Sequence, residues 1–411
     1  MAIPKPKKYI ADFERMGFGM FVHFGLYSQL GRGEWVYSLR EYTAAEYQNL
    51  IHSFTAEDFN AEKLVLTAKA AGCKYITLTT RHHDGFSLYD TCGLNTFDAP
   101  HSAAERDLVR EFTEACRKHD MVPFLYHTTL DWYNSDYEND FERYLEYLRE
   151  SVEILCRNYG KIGGLWFDGN WDKRDADWKE DELYKTIRKY QPEAIIVNNT
   201  GLHRRGMIGN PEIDSVTFEQ GTPTPMNREG MAKYLAAEMC QTVNDHWGIG
   251  IHDFNYKSPK TLIENLCNCR KVGANFLLNI GPTAQGGIES FQGELFKLIG
   301  KWMQFYGDAI YNGRPYGATG MGKNFILKGD NELYLFFFDL ARRGSENVAV
   351  NGNSYCGSYA FGNVTDTIKE IEWMDNGEKL DFLQNQNMLS IYATGIPYGM
   401  STCVRVARAK L

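Results

Sequence analysis

Residues 61–91 read AEKLVLTAKAAGCKYITLTTRHHDGFSLYDT. Ala61–Ala71 is an amphipathic stretch that predicts a helix. Lys74–Thr80 is a short apolar run that predicts a strand, and Arg81, His82, His83 and Asp84 follow it at once. A helix that feeds a strand with a polar C-terminal end is one unit of an α/β fold.

The same unit recurs on both sides. Further strands are expected at Phe18–Phe24, Val122–His127, Gly164–Asp168, Ala194–Asn199, Ser215–Glu219, a weaker one near Gln241–Gly248, and Ala274–Gly281. Helical patterns lie at Arg106–Lys118, at Phe141–Asn158, at Glu180–Tyr190 before Pro192, and at Lys260–Val272 before Gly273. Eight strands alternating with helices over about 310 residues predict a (β/α)8 barrel, a TIM-like α/β fold. An open doubly wound sheet is the competitor, but no GxGxxG turn opens the first helix.

The pattern changes after residue 312. Residues 312–323, NGRPYGATGMGK, are loop-like. Strand patterns then follow at Phe325–Lys328, Glu332–Asp339, Asn347–Val350, Ile368–Met374, Leu389–Tyr392 and Cys403–Ala407. They predict a C-terminal antiparallel β-sandwich over 315–411, after a barrel over 1–314.

Composition narrows the function classes. The chain has 411 residues, with 44 Lys and Arg against 53 Asp and Glu, a net charge of −9. Its basic residues form no long run, so neither nucleic acid nor an anionic membrane is an expected partner. Aromatics make up 14% of the chain, and aromatic faces suit the C–H faces of sugars. The nine cysteines lack the spacing of a zinc ribbon or a redox pair and read as reduced thiols. Asp12, Glu14 and Arg15 interrupt the N-terminal segment, and no run reaches the ~18–20 apolar residues of a membrane span. The expected location is the cytoplasm. The oligomeric state stays open, a homo-oligomer included.

The expected strand ends carry, in order, His23; His82 and His83; Tyr126 and His127, with Asp131 and Trp132 beyond; Asp168; Asn198 and Asn199; Glu219; Trp247; and Asn279. In such barrels the active site is built on that face. A metal site is not expected, because adjacent histidines in an extended segment point to opposite sides and no His-x-His follows the first strand. Asp168, near Trp166 and Trp171, and Glu219, two strands on, are a carboxylate pair of the kind glycoside hydrolysis uses. An apolar wall keeps one such carboxyl protonated as the acid.

The strings FGMFVHFGLYS (18–28), GEW (33–35), AKAAGCKYITLTTRHHDGFSLYDT (68–91), RDLV (106–109), LDW (130–132), LWFDG (165–169), VNN (197–199), WG (247–248), NFLLNIGPTAQGGI (275–288) and GDAIY (307–311) closely resemble the α-L-fucosidases of glycoside hydrolase family 29. The resemblance spans nearly all of the first 311 residues, in order. It implies a retaining exo-enzyme on a barrel followed by a sandwich, with a fucosylated glycan as substrate and no cofactor. It makes Asp168 the nucleophile. His23, His82, His83, Glu34, Trp35, Trp247 and either Tyr126 or His127 become fucose-binding residues.

Two departures stand out. Where the family commonly shows V-N-D-R, this chain has Val197-Asn198-Asn199-Thr200, which leaves Arg204 or Arg205 to replace the arginine. For the acid/base, Glu219 in DSVTFE and Glu238 in the amphipathic stretch YLAAEMCQT both match family patterns, with Glu219 preferred. A glycan-binding module that has lost turnover and a metal-dependent hydrolase are the other classes open. Linkage preference is expected to depend on the loops Ser28–Glu34 and Thr200–Pro211.

Overall fold

Eight parallel strands close into a barrel in sequence order. They are β1 (Phe18–Val22), β2 (Tyr75–Arg81), β3 (Val122–Thr128), β4 (Gly164–Asp168), β5 (Ile195–Asn198), β6 (Ser215–Glu219), β7 (Ala236–Thr242) and β8 (Asn275–Ile280). The structure is a computed structural model that describes every residue except Met1, Gly201, His203, 342–356, Tyr398 and Ser401. The expected strand Asn347–Val350 and Cys356 therefore lie outside the described residues.

The strands form where apolar runs can be buried on both faces, as parallel sheets require. Several of the helices between them begin at side-chain caps: Asn60 accepts from the Lys63 amide, Asp107 from Arg110, Asp140 from Arg143 and Ser258 from Thr261. Each satisfies a backbone donor that the first helical turn leaves open. Inside the barrel, Gly19 faces the Tyr75 ring, and a Cβ at Gly19 would lie 2.5 Å from it. The missing side chain lets that ring cross the barrel interior.

The seventh strand departs from expectation. It lies at Ala236–Thr242 rather than near Gln241–Gly248, and all seven of its residues are buried. Glu238 and Gln241 break its apolar run and give YLAAEMCQT a helical look. Tertiary partners for Glu238 make the strand tolerable. The helix Ser290–Asn312 was not read from the sequence.

The C-terminal region adds two antiparallel sheets. Their strands are β9 (Arg314–Pro315), β10 (Thr319–Gly320), β11 (Phe325–Lys328), β12 (Glu332–Phe338), β13 (Gly357–Gly362), β14 (Glu370–Trp373), β15 (Phe382–Asn385), β16 (Met388–Ala393) and β17 (Val404–Lys410). One sheet has the order β14-β17-β12-β11-β9 and the other β10-β13-β16-β15. Leu335, Phe337, Trp373 and Ala407 from the first share one core with Phe361, Leu389 and Ile391 from the second, which makes a sandwich. Two compact units result, one of 1–257 with 275–297 and the other of 258–274 with 298–411. The expected boundary at 314/315 falls at β9, inside the second unit.

Candidate active site

Asp168 is the last residue of β4. The next residue, Gly169, has φ +121°, and a Cβ there would lie 2.5 Å from the Leu130 amide nitrogen. Only glycine lets the chain turn this sharply beside the neighbouring loop. The turn leaves the Asp168 carboxylate at the barrel mouth, among donors. Trp171 Nε1 donates to Oδ1 at 2.7 Å and Tyr126 Oη to Oδ2 at 3.2 Å. His83 Nε2 lies 3.4 Å from Oδ2. Burial acts to raise this carboxyl, but His83, Trp171 and Tyr126 outweigh it and hold it below the ordinary value.

Glu219 ends β6, and the link between the two carboxylates is Asn199. Its Nδ2 donates to Asp168 Oδ1 at 3.2 Å and to Glu219 Oε2 at 2.7 Å. Phe167 is paired with Asn198, so Asn199 comes level with Asp168 at the mouth. Burial, then the charge of Asp168, pushes Glu219 up to about 7, against the opposing pull of Asn199. Two neighbouring carboxyls are thus driven apart in acidity, one ionised and one able to hold a proton near neutrality.

These groups line a pocket of about 150 Å³. His23, His82, His83, Trp35, Tyr126 and Trp247, all expected site residues, line it together with Phe21, Trp166, Trp171 and Leu202. Burial lowers His23 to about 3 and keeps the ring neutral, against the opposing pull of Asn279, whose Oδ1 lies 2.6 Å from its Nδ1. His82 is likewise neutral through burial, and its Nδ1 has no hydrogen-bond partner among the described residues. His83 Nδ1 lies 2.7 Å from Thr128 Oγ1, which leaves Nε2 for Asp168. Trp35, 40% exposed, stacks on Trp171 at 5.9 Å and forms the rim.

Several expectations need correction. His82 and His83 do not point to opposite sides. β2 shifts register between Thr79 and Arg81 and then ends, and the His82 carbonyl closes a turn onto the Gly85 amide. Off the strand the alternation rule no longer applies, and both rings face the pocket. Of Tyr126 and His127, only Tyr126 enters it. His127, next on β3, points the other way, with Nε2 3.3 Å from Tyr89 Oη and Nδ1 bonded to the Thr128 carbonyl.

Glu34 does not line the pocket. It is buried, and its Oε2 accepts from the Trp247 and Gly248 amides at 3.1 and 2.8 Å, so it holds the Trp247 loop. Glu238 is also outside the pocket. It sits level with Thr217, deeper in the barrel than Glu219, and accepts from Tyr75 Oη at 2.5 Å and Trp166 Nε1 at 3.0 Å. Arg204 and Arg205 both stay out of the pocket, although Arg205 Nε donates to the Glu219 carbonyl at 2.7 Å. Sequence reading had Asn199 among the strand-end residues but missed its bridging role. Strand alternation from Val197 was the signal that could have found it.

Among the described residues, no group of three or more His, Cys, Asp or Glu could hold a metal ion. Nor is any helix among them long and apolar enough to cross a membrane.

A family model described as Alpha-L-fucosidase matches residues 4–308. The chain belongs to the α-L-fucosidase family. Tissue α-L-fucosidase of Bos taurus is 28% identical over 339 residues, 74% of this chain and 69% of its own length. α-L-Fucosidase of Branchiostoma floridae is 26% identical, over 83% of this chain and 82% of its own. The structure of α-L-fucosidase isoenzyme 1 from Paenibacillus thiaminolyticus is 31% identical at a TM-score of 0.85 and covers 98% of this chain and 99% of its own. A family 29 α-L-fucosidase from Bacteroides thetaiotaomicron, solved as a trapped covalent intermediate with 2-fluoro-fucosyl fluoride, shares the fold at 22% identity and a TM-score of 0.84, covering 100% of this chain and 97% of its own. As an α-L-fucosidase, this chain takes a fucosylated glycan as substrate.

Proposed function

We propose that this chain is a retaining, exo-acting α-L-fucosidase in which Asp168 is the nucleophile and Glu219 the acid/base. The observation that carries the reading is the single Asn199 amide bonded to both carboxylates. It caps their nearest oxygen–oxygen gap at two hydrogen-bond lengths. Inverting enzymes keep their carboxyls ~6.5–9.5 Å apart to admit water, and retaining ones ~5–5.5 Å. The covalent intermediate trapped in the Bacteroides relative supports the same course.

In the first step Asp168 attacks the anomeric carbon of a terminal fucose. The glycosidic C–O bond breaks, and the Glu219 proton goes to the leaving oxygen. In the second, Glu219 takes a proton from water, which attacks the same carbon and releases Asp168. A pocket of about 150 Å³, on the order of five water volumes, suits one terminal sugar ring. His23, His82, His83 and Trp247 line its walls. Glu34 and Asn279 hold Trp247 in place.

The test is the stereochemistry of the first product, followed by proton NMR during cleavage of an aryl α-L-fucoside. The α-anomer of fucose should appear first, and initial release of the β-anomer would overturn the retaining assignment.

A further inference from the structure

Beside the pocket lies a larger groove of about 850 Å³, and the two share Trp171 and Leu202 as walls. One side of the groove is the segment after β4, with Trp171, Arg174 and Asp175. The other comes from the segment after β5, with Thr200, Arg204 and Met207. An exo-acting pocket that holds one ring leaves the rest of the substrate outside. With Trp171 common to both spaces, the groove is the adjoining room for it. Its volume falls in the ~300–1,000 Å³ range of ligand sites and is several times that of the pocket, room for more than one further sugar ring.

The lining also states a chemistry. The Trp171 indole offers a stacking face. Carboxylates, among them Asp175, Asp177 and Asp181, outnumber the cations Arg174, Lys179 and Arg204, and Lys179 is paired with Glu142. Such a lining disfavours an anionic ligand.

We propose that this groove binds the reducing-side sugars of a neutral fucosylated oligosaccharide. The inference rests on the exo-fucosidase reading and adds the class of leaving group. The experiment measures kcat/KM for a neutral fucosylated tetrasaccharide, for its sialylated counterpart and for 4-nitrophenyl α-L-fucoside. Wild type should prefer the neutral tetrasaccharide by about tenfold or more, and the preference should shrink at high salt.

Arg204→Ala should lose about five- to tenfold on the tetrasaccharide, mainly through KM, and stay within about twofold on the nitrophenyl substrate. Asp175→Asn should raise cleavage of the sialylated substrate. Equal loss on tetrasaccharide and nitrophenyl fucoside, no loss on either, or a preference for the sialylated glycan would each overturn the groove assignment. A wild-type enzyme inactive on the nitrophenyl fucoside would instead sink the fucosidase reading itself, so the two failures are told apart.

Discussion

Glu219 and Glu238 stand on neighbouring barrel strands at successive depths, and burial pushes both up to about 7. Their surroundings differ. Glu219 borders the pocket, has Asp168 as a charged neighbour, and shares Asn199 with it. Glu238 is 1% exposed, and its oxygens are taken up by Tyr75 and Trp166. A raised pKa is thus common to both levels of the barrel. Access to a reacting atom is what distinguishes them, since a proton donor must come within hydrogen-bond reach of the leaving oxygen.

The strongest test removes the group that Glu219 is paired with. Asp168→Gly should depress turnover on the order of 10³-fold or more, because the covalent step disappears. Azide should restore part of the cleavage and yield β-fucosyl azide. A variant that keeps most of its activity would remove the nucleophile from β4.

Next in size is Glu219→Ala. Loss of the acid should cost about 10²–10³-fold on natural fucosides and far less on an aryl fucoside with a low-pKa phenol. The wild-type kcat/KM should fall as pH rises through about 7, where Glu219 loses its proton, and that basic limb should vanish in the variant. If Glu238→Ala instead selectively spared the activated substrate, the two depths would exchange roles.

Asn199→Ala is expected to have an intermediate effect. Its amide lowers the Glu219 pKa, so removing it should move the basic limb to higher pH, with about a tenfold loss of turnover from a looser Asp168. A limb that moved down would contradict the assignment of the bridge.

The smallest effect on activity is expected for Glu238→Gln, a change of several-fold that is independent of the leaving group. In a Trp166→Phe background it should be smaller, because Phe has no N–H for Glu238 to hold and only the Tyr75 contact remains. Stability provides a second readout. The Glu238 pKa is raised from 4.5 to about 7 on folding. Its contribution is therefore full below pH 4.5 and lost as pH rises through about 7, a change on the order of 3 kcal/mol. Thermal unfolding of Glu238→Gln across that window should lack this decline, and an unchanged pH dependence would show that Glu238 is ionised in the fold.

Much of this was legible in the residues. Regular alternation of apolar runs and amphipathic stretches gave the barrel, because a parallel strand buried on both faces leaves a continuous apolar signature. β7 escaped that reading because its interior glutamate is tolerable only beside Tyr75 and Trp166, which are 163 and 72 residues away in sequence. In the sandwich, β13 and β15 lie outside the strand patterns expected from the sequence.

By itself the sequence determined the barrel, the sandwich and the set of polar residues on the strand ends, since these follow from local periodicity and residue type. The tertiary structure decided which of those residues meet. It separated Tyr126 from His127 by strand alternation, turned His82 and His83 to one side by ending β2 in a turn, withdrew Glu34 to hold backbone amides, and set Asn199 between the two carboxylates. Each outcome depends on which strands become neighbours and on the depth at which their side chains lie. Distances between remote residues are fixed only when the barrel closes.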